Sequence, residues 1–409
     1  MLQATLSLPD LRRHVERELT QNILPFWARH GFNPTTGGLA GVVTNDLRVY
    51  PEVPQHSVLA ARMLWTFAQA QSLVPDPRWL NAGRQALALI QRPFWDGAHG
   101  GVFWNLDPQG QPLSDRKQVY AQAFAIYGLV AWHAATEDTS ALTRAQELFQ
   151  LLEKHARDME RGGYLEALSR PWGRLEDMRL SDKDLNAPKS YNTLLHVLEA
   201  YTALLKVWPE PTLRAALMDL LGICLDKLVY AAPFPHCELF FDMEWRTLLS
   251  KISYGHDIEA SWLFWEAALA LGDEGLIRRT KQVSLDLADS VRSHGLDVDG
   301  AVFYDGNADG PVNTDKHWWP QAEAVVGFLN AYQIGGRQEH LDAALRAWEF
   351  IETKVIDPVH GEWFALLDRD GQVYPDYPAH PESHKIGPWK CPYHNARACL
   401  EVMRRVPKR

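Results

Sequence analysis

The chain repeats itself at long range. Glycine-rich, aromatic loops occur at Gly37-Gly38, Gly100-Gly101-Val102-Phe103-Trp104, Gly162-Gly163-Tyr164, Phe234 to Phe241, Asp299-Gly300-Ala301-Val302-Phe303 and Gly361-Glu362-Trp363-Phe364. Neighbouring loops lie roughly 60 to 75 residues apart, longer than common solenoid repeats but following the same logic of one supersecondary unit reused. Glycine allows a tight reversal, and alternating Phe, Trp and Tyr supply half-buried, strand-like surface. Each loop is therefore expected to form a two-stranded ribbon.

Between the loops, apolar residues recur at helical spacing and predict about twelve helices, over 8–29, 55–73, 77–93, 116–136, 140–156, 189–207, 210–229, 255–271, 273–293, 316–335, 338–356 and 391–406. The connectors alternate. A helix pair is joined by a few residues, as at Pro209-Glu210-Pro211 or Gly272-Asp273, which forces antiparallel neighbours. The connectors that carry the ribbons are long. An all-α ring of six antiparallel pairs, an (α/α)6 barrel with short β-hairpins in the long loops at one end, satisfies this alternation. A repeat that runs end to end implies one domain over 1–409, because a closed ring cannot be cut without exposing apolar faces. The 409 residues, 46 % of them hydrophobic, suffice for a large core.

Alternate helices begin with polar and aromatic clusters. In SYGHDIEASW (253–262), His256 and Glu259 stand three apart and leave the same helix face. Comparable heads carry Arg62, Tyr120, Asn192 with His196, Trp318 and Trp319 with Glu323, and His394. A lone helical histidine is usually structural, but His196, His256 and His394 fall on alternate helices that a ring would bring to one cavity. Most of the sixteen tryptophans read as core. Trp318, Trp319 and Trp389 stand beside titratable residues, where a flat sugar face could stack. His256 and Glu259 could instead ligate an ion, yet no HExxH and no second pair at that spacing appears, so no metal is expected.

A formal charge of −10 argues against nucleic acid as partner. Four scattered cysteines, without a CxxC pair, suit a reducing cytoplasm. The N-terminus reads as an amphipathic helix rather than a signal peptide, and no window approaches a membrane span. The expectation is a cytoplasmic enzyme, a monomer or weak homodimer, whose partner is a small-molecule sugar.

SYGHDIEASW, TDKHWWPQAEAVVGFLNAYQ (314–333), CPYHNARACLE (391–401), KQVYAQAFAIYGL (117–129) and SYNTLLHVLEAY (190–201) closely resemble the cellobiose 2-epimerases, within the N-acylglucosamine 2-epimerase superfamily. The likeness spans nearly the whole chain. It implies the (α/α)6 barrel and reversible, cofactor-independent epimerisation at C2 of a reducing-end sugar, glucose to mannose, in a β-1,4-linked disaccharide. After ring opening the C2 proton lies α to an aldehyde. Its removal leaves an enediolate, and inversion needs a proton taken from one face and returned on the other, a task suited to two histidines.

By position, the resemblance implies that His394 and His256 are the acid/base pair and that His196 assists ring opening. It implies that Glu259 orients His256, Asp184 is a supporting carboxylate, and Arg62 stabilises the enediolate oxygen. Tyr120 and Asn192 would bind hydroxyls, Trp389 would stack on the sugar, and Trp318, Trp319 and Glu323 would shape the pocket. The chain departs from the family at Leu194, where a histidine is usual, at Ala60, where an asparagine is usual, and in the Pro-rich loop 374–390. Both substitutions are expected to remove polar contacts near the cavity. Related readings are a monosaccharide 2-epimerase or aldose-ketose isomerase. A glycoside hydrolase would need two carboxyls, for which Glu259 and Glu323 are the candidates, and a sugar-binding protein without catalysis would leave the histidines dispensable.

Overall fold

In the computed structural model, which describes residues 6–408, the predicted alternation closes into a double ring. The inner helices are Ser57–Leu73, Val119–Thr136, Tyr191–Val207, Tyr254–Leu271, Trp318–Gly335 and Tyr393–Arg405. Each packs on the next, and the last packs on the first. The outer ring comprises the rods 8–30, 77–91, 139–156, 211–228, 274–295 and 338–355. The rod 8–30 packs on Tyr393–Arg405, so the first and last helices of the chain form one of the six pairs. Inner helices are apolar on nearly every side because both faces are covered; outer helices are amphipathic.

Short connectors carry their own stop and start signals. Gly272 and Gly336 end inner helices in the left-handed conformation, at φ 65° and 74°. Asp76, Asp138 and Asp273 cap the outer helices that follow, accepting from Arg78, Ser140 and Leu276 backbone N–H groups. Four outer rods finish in a wider π turn: Leu152–Ala156, Cys224–Leu228, Val291–Gly295 and Ile351–Val355. In the first rod the π turn is internal, at Leu19–Ile23, just before Pro25, whose missing N–H the helix must accommodate.

The long loops do carry short hairpins: Val42–Val43 pairs with Val49–Tyr50, Asn105–Leu106 with Pro112–Ser114, Val229–Tyr230 with His236–Cys237, and Asp305–Asn307 with Gly310–Asn313. The glycine loops do reverse tightly, but their flanks meet in single bridges, Trp95 with Val102, Arg157 with Tyr164, Leu296 with Val302 and Ile356 with Trp363. Other pairings join one long loop to the next. Gln55–His56 pairs with Asn105–Leu106, Lys117–Gln118 with Ala167–Leu168, Lys189–Ser190 with Phe240–Phe241, and Lys316–His317 with Leu366–Leu367. Ile252 bridges Gly306, and Val43 bridges Ile386, so the stitching runs round the ring. This is why inner helices start about two residues later than the periodicity predicts at 55, 116, 189 and 316: extended pairing with a distant strand wins over helix extension.

Buried side chains lock the loops in place. Gln122 bonds both the N–H and C=O of Val102, at 2.7 and 2.8 Å, and Gln321 does the same for Val302, at 2.7 and 2.9 Å. Lys117 reaches Asp96 at 2.9 Å, Lys189 reaches Asp158 at 2.8 Å, and Lys385 reaches Asp357 at 2.8 Å. At Gly163, φ is +75° and a Cβ would lie 2.8 Å from Trp245, so glycine is required twice over.

Candidate active site

All six inner helices enter from the stitched loops, so their N-terminal residues face one end of the barrel. There the histidines meet carboxylates. His394 Nδ1 lies 2.7 Å from Glu323 Oε1, and His196 Nδ1 lies 3.0 Å from Glu199 Oε2. Both carboxylates converge on Arg397, one turn beyond His394. Arg397 Nη2 bonds Glu323 at 2.6 Å and also Glu259, while Nη1 bonds Glu199 and the Tyr393 hydroxyl. Tyr393 donates to Glu199 at 2.5 to 2.6 Å, and Trp262 Nε1 donates to Glu323 at 3.1 Å.

His256 stands slightly apart. Its Nδ1 is 2.7 Å from the Ser253 hydroxyl, so Ser253, and not Glu259, is its hydrogen-bond partner. The expected His256–Glu259 pair is absent because Arg397, arriving from the last helix, captures the Glu259 carboxylate. Trp319 connects the histidines: its ring lies 4.7 Å from that of His256 and 5.6 Å from that of His394. Gly255 makes room for it, since a Cβ there would meet the indole at 2.6 Å. Trp318 lies outside this contact, 6.4 Å from His394 and 5.4 Å from the Lys390 ammonium.

Arg62 lies over the rings of Phe124 and Tyr393 at 4.2 and 4.9 Å and donates to Tyr120 Oη at 2.7 Å. Its Nε has no protein partner. Tyr120 sits edge-on to His196 at 5.1 Å and to Trp389 at 6.1 Å. A cleft of about 140 Å³ leads outward from His256, lined by Asn192, Asp184, Lys183, Ser190, Glu166 and Tyr304 among others. Loop 374–390 reaches this cleft through the Glu382–Lys183 ion pair, at 2.8 Å. A larger cavity, about 490 Å³, opens at the opposite barrel end, and of the site residues Glu199 and Trp262 reach it.

The electrostatics follow from burial and from one cation shared by three carboxylates. Burial disfavours charge on Glu199, but Arg397, His196 and Tyr393 outweigh it and hold the carboxyl at about 2. Glu259 goes the other way, raised to about 7 by burial and by the charge of Glu323, which Arg397 only partly offsets. Glu323 is raised as well, first by burial. His394 is held well below its ordinary value by burial, then by Arg62 and Arg397. His256 is lowered to about 3 by burial, then by His196, Arg62 and Lys251. Its ring stays partly open to the cleft, so the direction, a neutral imidazole at pH 7, carries the argument. Glu259, Glu323 and His394 each offer one atom within 4.8 Å of the others, the spacing an ion would need. The guanidinium already stands on both carboxylates, and His256 is not of that group. The same two carboxyls are also a poor pair to flank a glycosidic bond, since both bind Arg397 and are only 1 % exposed.

The sequence reading missed Arg397, Glu199 and Tyr393. Each follows a recognised histidine by about one turn or precedes one, as in HVLEAY (196–201) and YHNAR (393–397), so helical spacing was the available signal. Glu166, buried with its carboxyl raised to about 7 by desolvation, was also missed. Leu194 does not mark a lost cavity contact. It is fully buried against Gly163, on the helix side opposite Asn192 and His196, and Ala60 is likewise sealed in the core.

Barrel, dyads and fixed cations together define a carbohydrate epimerase of the isomerase class, in agreement with comparison to known proteins. Residues 38–387 match the family model of N-acylglucosamine 2-epimerase (GlcNAc 2-epimerase), and the chain belongs to that family. It is 41 % identical to a cellobiose 2-epimerase of Bacteroides fragilis, over 96 % of this chain and 98 % of that one. The cellobiose 2-epimerase structure from Bacillus thermoamylovorans superposes with a TM-score of 0.89 at 34 % identity, covering 97 % of this chain and 99 % of the other. A D-mannose isomerase structure shares the fold, with a TM-score of 0.83 at 20 % identity over 99 % and 100 %. Among the described residues no helix is long and apolar enough to cross a membrane.

Proposed function

We propose that the enzyme interconverts glucose and mannose at the reducing end of β-1,4-linked disaccharides such as cellobiose and mannobiose, with His256 and His394 exchanging the C2 proton. The supporting observation is Trp319 lodged between two largely dehydrated imidazoles, a floor on which a pyranose-sized substrate can lie with one histidine to either side. His196, held by Glu199, moves the proton between O5 and O1 as the ring opens. One neutral imidazole then takes the C2 proton, and Arg62 stabilises the enediolate oxygen with its unpartnered Nε–H. That imidazolium passes the proton over the enediolate oxygens to the other imidazole, whose own imidazolium, stabilised by the enediolate's charge and at His394 by the carboxylate of Glu323, returns it to C2 on the opposite face. Tyr120 and Asn192 bind hydroxyls, Trp389 stacks on the sugar, and Asp184 receives the second unit along the cleft.

The Lys183–Glu382 pair, which ties loop 374–390 to the cleft wall, favours a second reading in which the sugar is a monosaccharide. Reprotonating the same enediolate at C1 would give a ketose. Incubation with cellobiose, mannobiose, mannose and glucose in heavy water, read by NMR, separates these. Deuterium at C2 of the disaccharides supports the first reading, deuterium only in monosaccharides supports the second, and no incorporation anywhere refutes the proton-transfer chemistry.

A further inference from the structure

One guanidinium serves both histidine–carboxylate dyads. Arg397 is 1 % exposed and lines neither cavity. Its Nη1 holds Glu199, the partner of His196; its Nη2 holds Glu323, the partner of His394. An ionised carboxylate can only accept, so each neutral imidazole must carry its proton on Nδ1 and present the Nε2 lone pair to the cavity. Without the cation, three buried carboxylates would face one another, and burial already raises the pKa of two of them. A protonated Glu323 would donate to Nδ1, move the imidazole proton to Nε2, and leave no base toward the sugar.

We infer that Arg397 is a positioning residue: through Glu199 and Glu323 it fixes His196 and His394 in the Nδ1–H tautomer without touching substrate. The groups facing His394 are Arg62, Arg397, His196, His256, Glu323 and Tyr393; those facing His196 are Glu199, Glu259, Tyr120, His256 and His394. Arg397 is the only one of these bonded to the carboxylates of both dyads. The kinetic consequence rests on the proton-transfer reading above; the tautomers do not.

The test has two arms. Histidine-¹⁵N NMR of the native protein, assigned with His196→Gln and His394→Gln, is expected to report the proton on Nδ1 of both rings at pH 7, with His394 still neutral at pH 5. Either ring found as the Nε2–H tautomer at pH 7, or His394 found as imidazolium there, overturns the inference, whether or not the enzyme turns over cellobiose. The second arm is Arg397→Lys and Arg397→Gln. Both are expected to lose about 100-fold or more in kcat with KM within about 3-fold. In Arg397→Gln, losing the cation moves the acid limb of kcat/KM to higher pH. A folded variant that keeps kcat, or loses it with tautomers and acid limb unmoved, refutes the role. If neither variant folds, the native spectrum decides.

Discussion

Glu259→Gln should make the protein more stable above neutral pH while leaving it unchanged in acid. The Glu259 carboxyl rises from 4.5 to about 7, chiefly through burial and then through the charge of Glu323. A carboxyl whose folded pKa lies above its unfolded value stabilises the fold below the unfolded value, and that contribution is lost as pH rises through the folded one. The window is therefore about 4.5 to 7. Moving that carboxyl from 4.5 to about 7 corresponds to about 3 kcal/mol. Because Glu199, Glu323 and Arg397 are coupled to it, this is an upper bound on the order of magnitude. Glutamine removes the charge and still offers Arg397 an oxygen. Urea unfolding at pH 4 and pH 8 should show wild type and variant alike below the window and the variant ahead by about 1 to 3 kcal/mol above it. A variant less stable than wild type at pH 8 would refute the picture of three carboxylates competing for one guanidinium. His256 should keep its Ser253 hydrogen bond throughout, so a C2-exchange defect in this variant would trace to the Arg397 cluster.

Lys117→Met leaves Asp96 buried with only the half-exposed Arg170 as cation, and should cost about 3 to 5 kcal/mol in chemical denaturation; a loss under about 1 kcal/mol would show the lysine clamps to be dispensable. Because His256 and His394 are both held below 6.5, kcat/KM should stay flat as pH falls from 7 to 5, and an inflection near 6.5 would contradict the neutral, dehydrated imidazoles. Lys183→Ala breaks an exposed ion pair and should change stability by no more than about 0.5 kcal/mol, yet raise kcat/KM for cellobiose relative to mannose; an unchanged ratio would show that loop 374–390 does not gate the cleft.

Much of the molecule was legible in the chain. The loop period and the alternation of short and long connectors specify the barrel, because helix periodicity and turn chemistry are local. The heads named the helix ends that meet, and His394, Glu323, His196, Trp319, Arg62 and Tyr120 do come together. The helix starts were misjudged by two residues wherever a strand from the following loop reached in, a contact about fifty residues away that no local pattern encodes.

What the sequence alone determined is the scaffold and the inventory of reactive groups, since 3.6-residue spacing decides which side chains share a face of one helix. His196 and Glu199 pair within one helix, but which carboxylate serves His394, and that a hydroxyl rather than a carboxylate serves His256, was decided only by the tertiary structure. Glu259 shares a helix face with His256, yet Arg397, 138 residues further on, takes its carboxylate, and Ser253 is left to hold the imidazole. In a dehydrated site each buried charge must find its counter-charge. That choice depends on distances across the barrel, which exist only once the ring has closed.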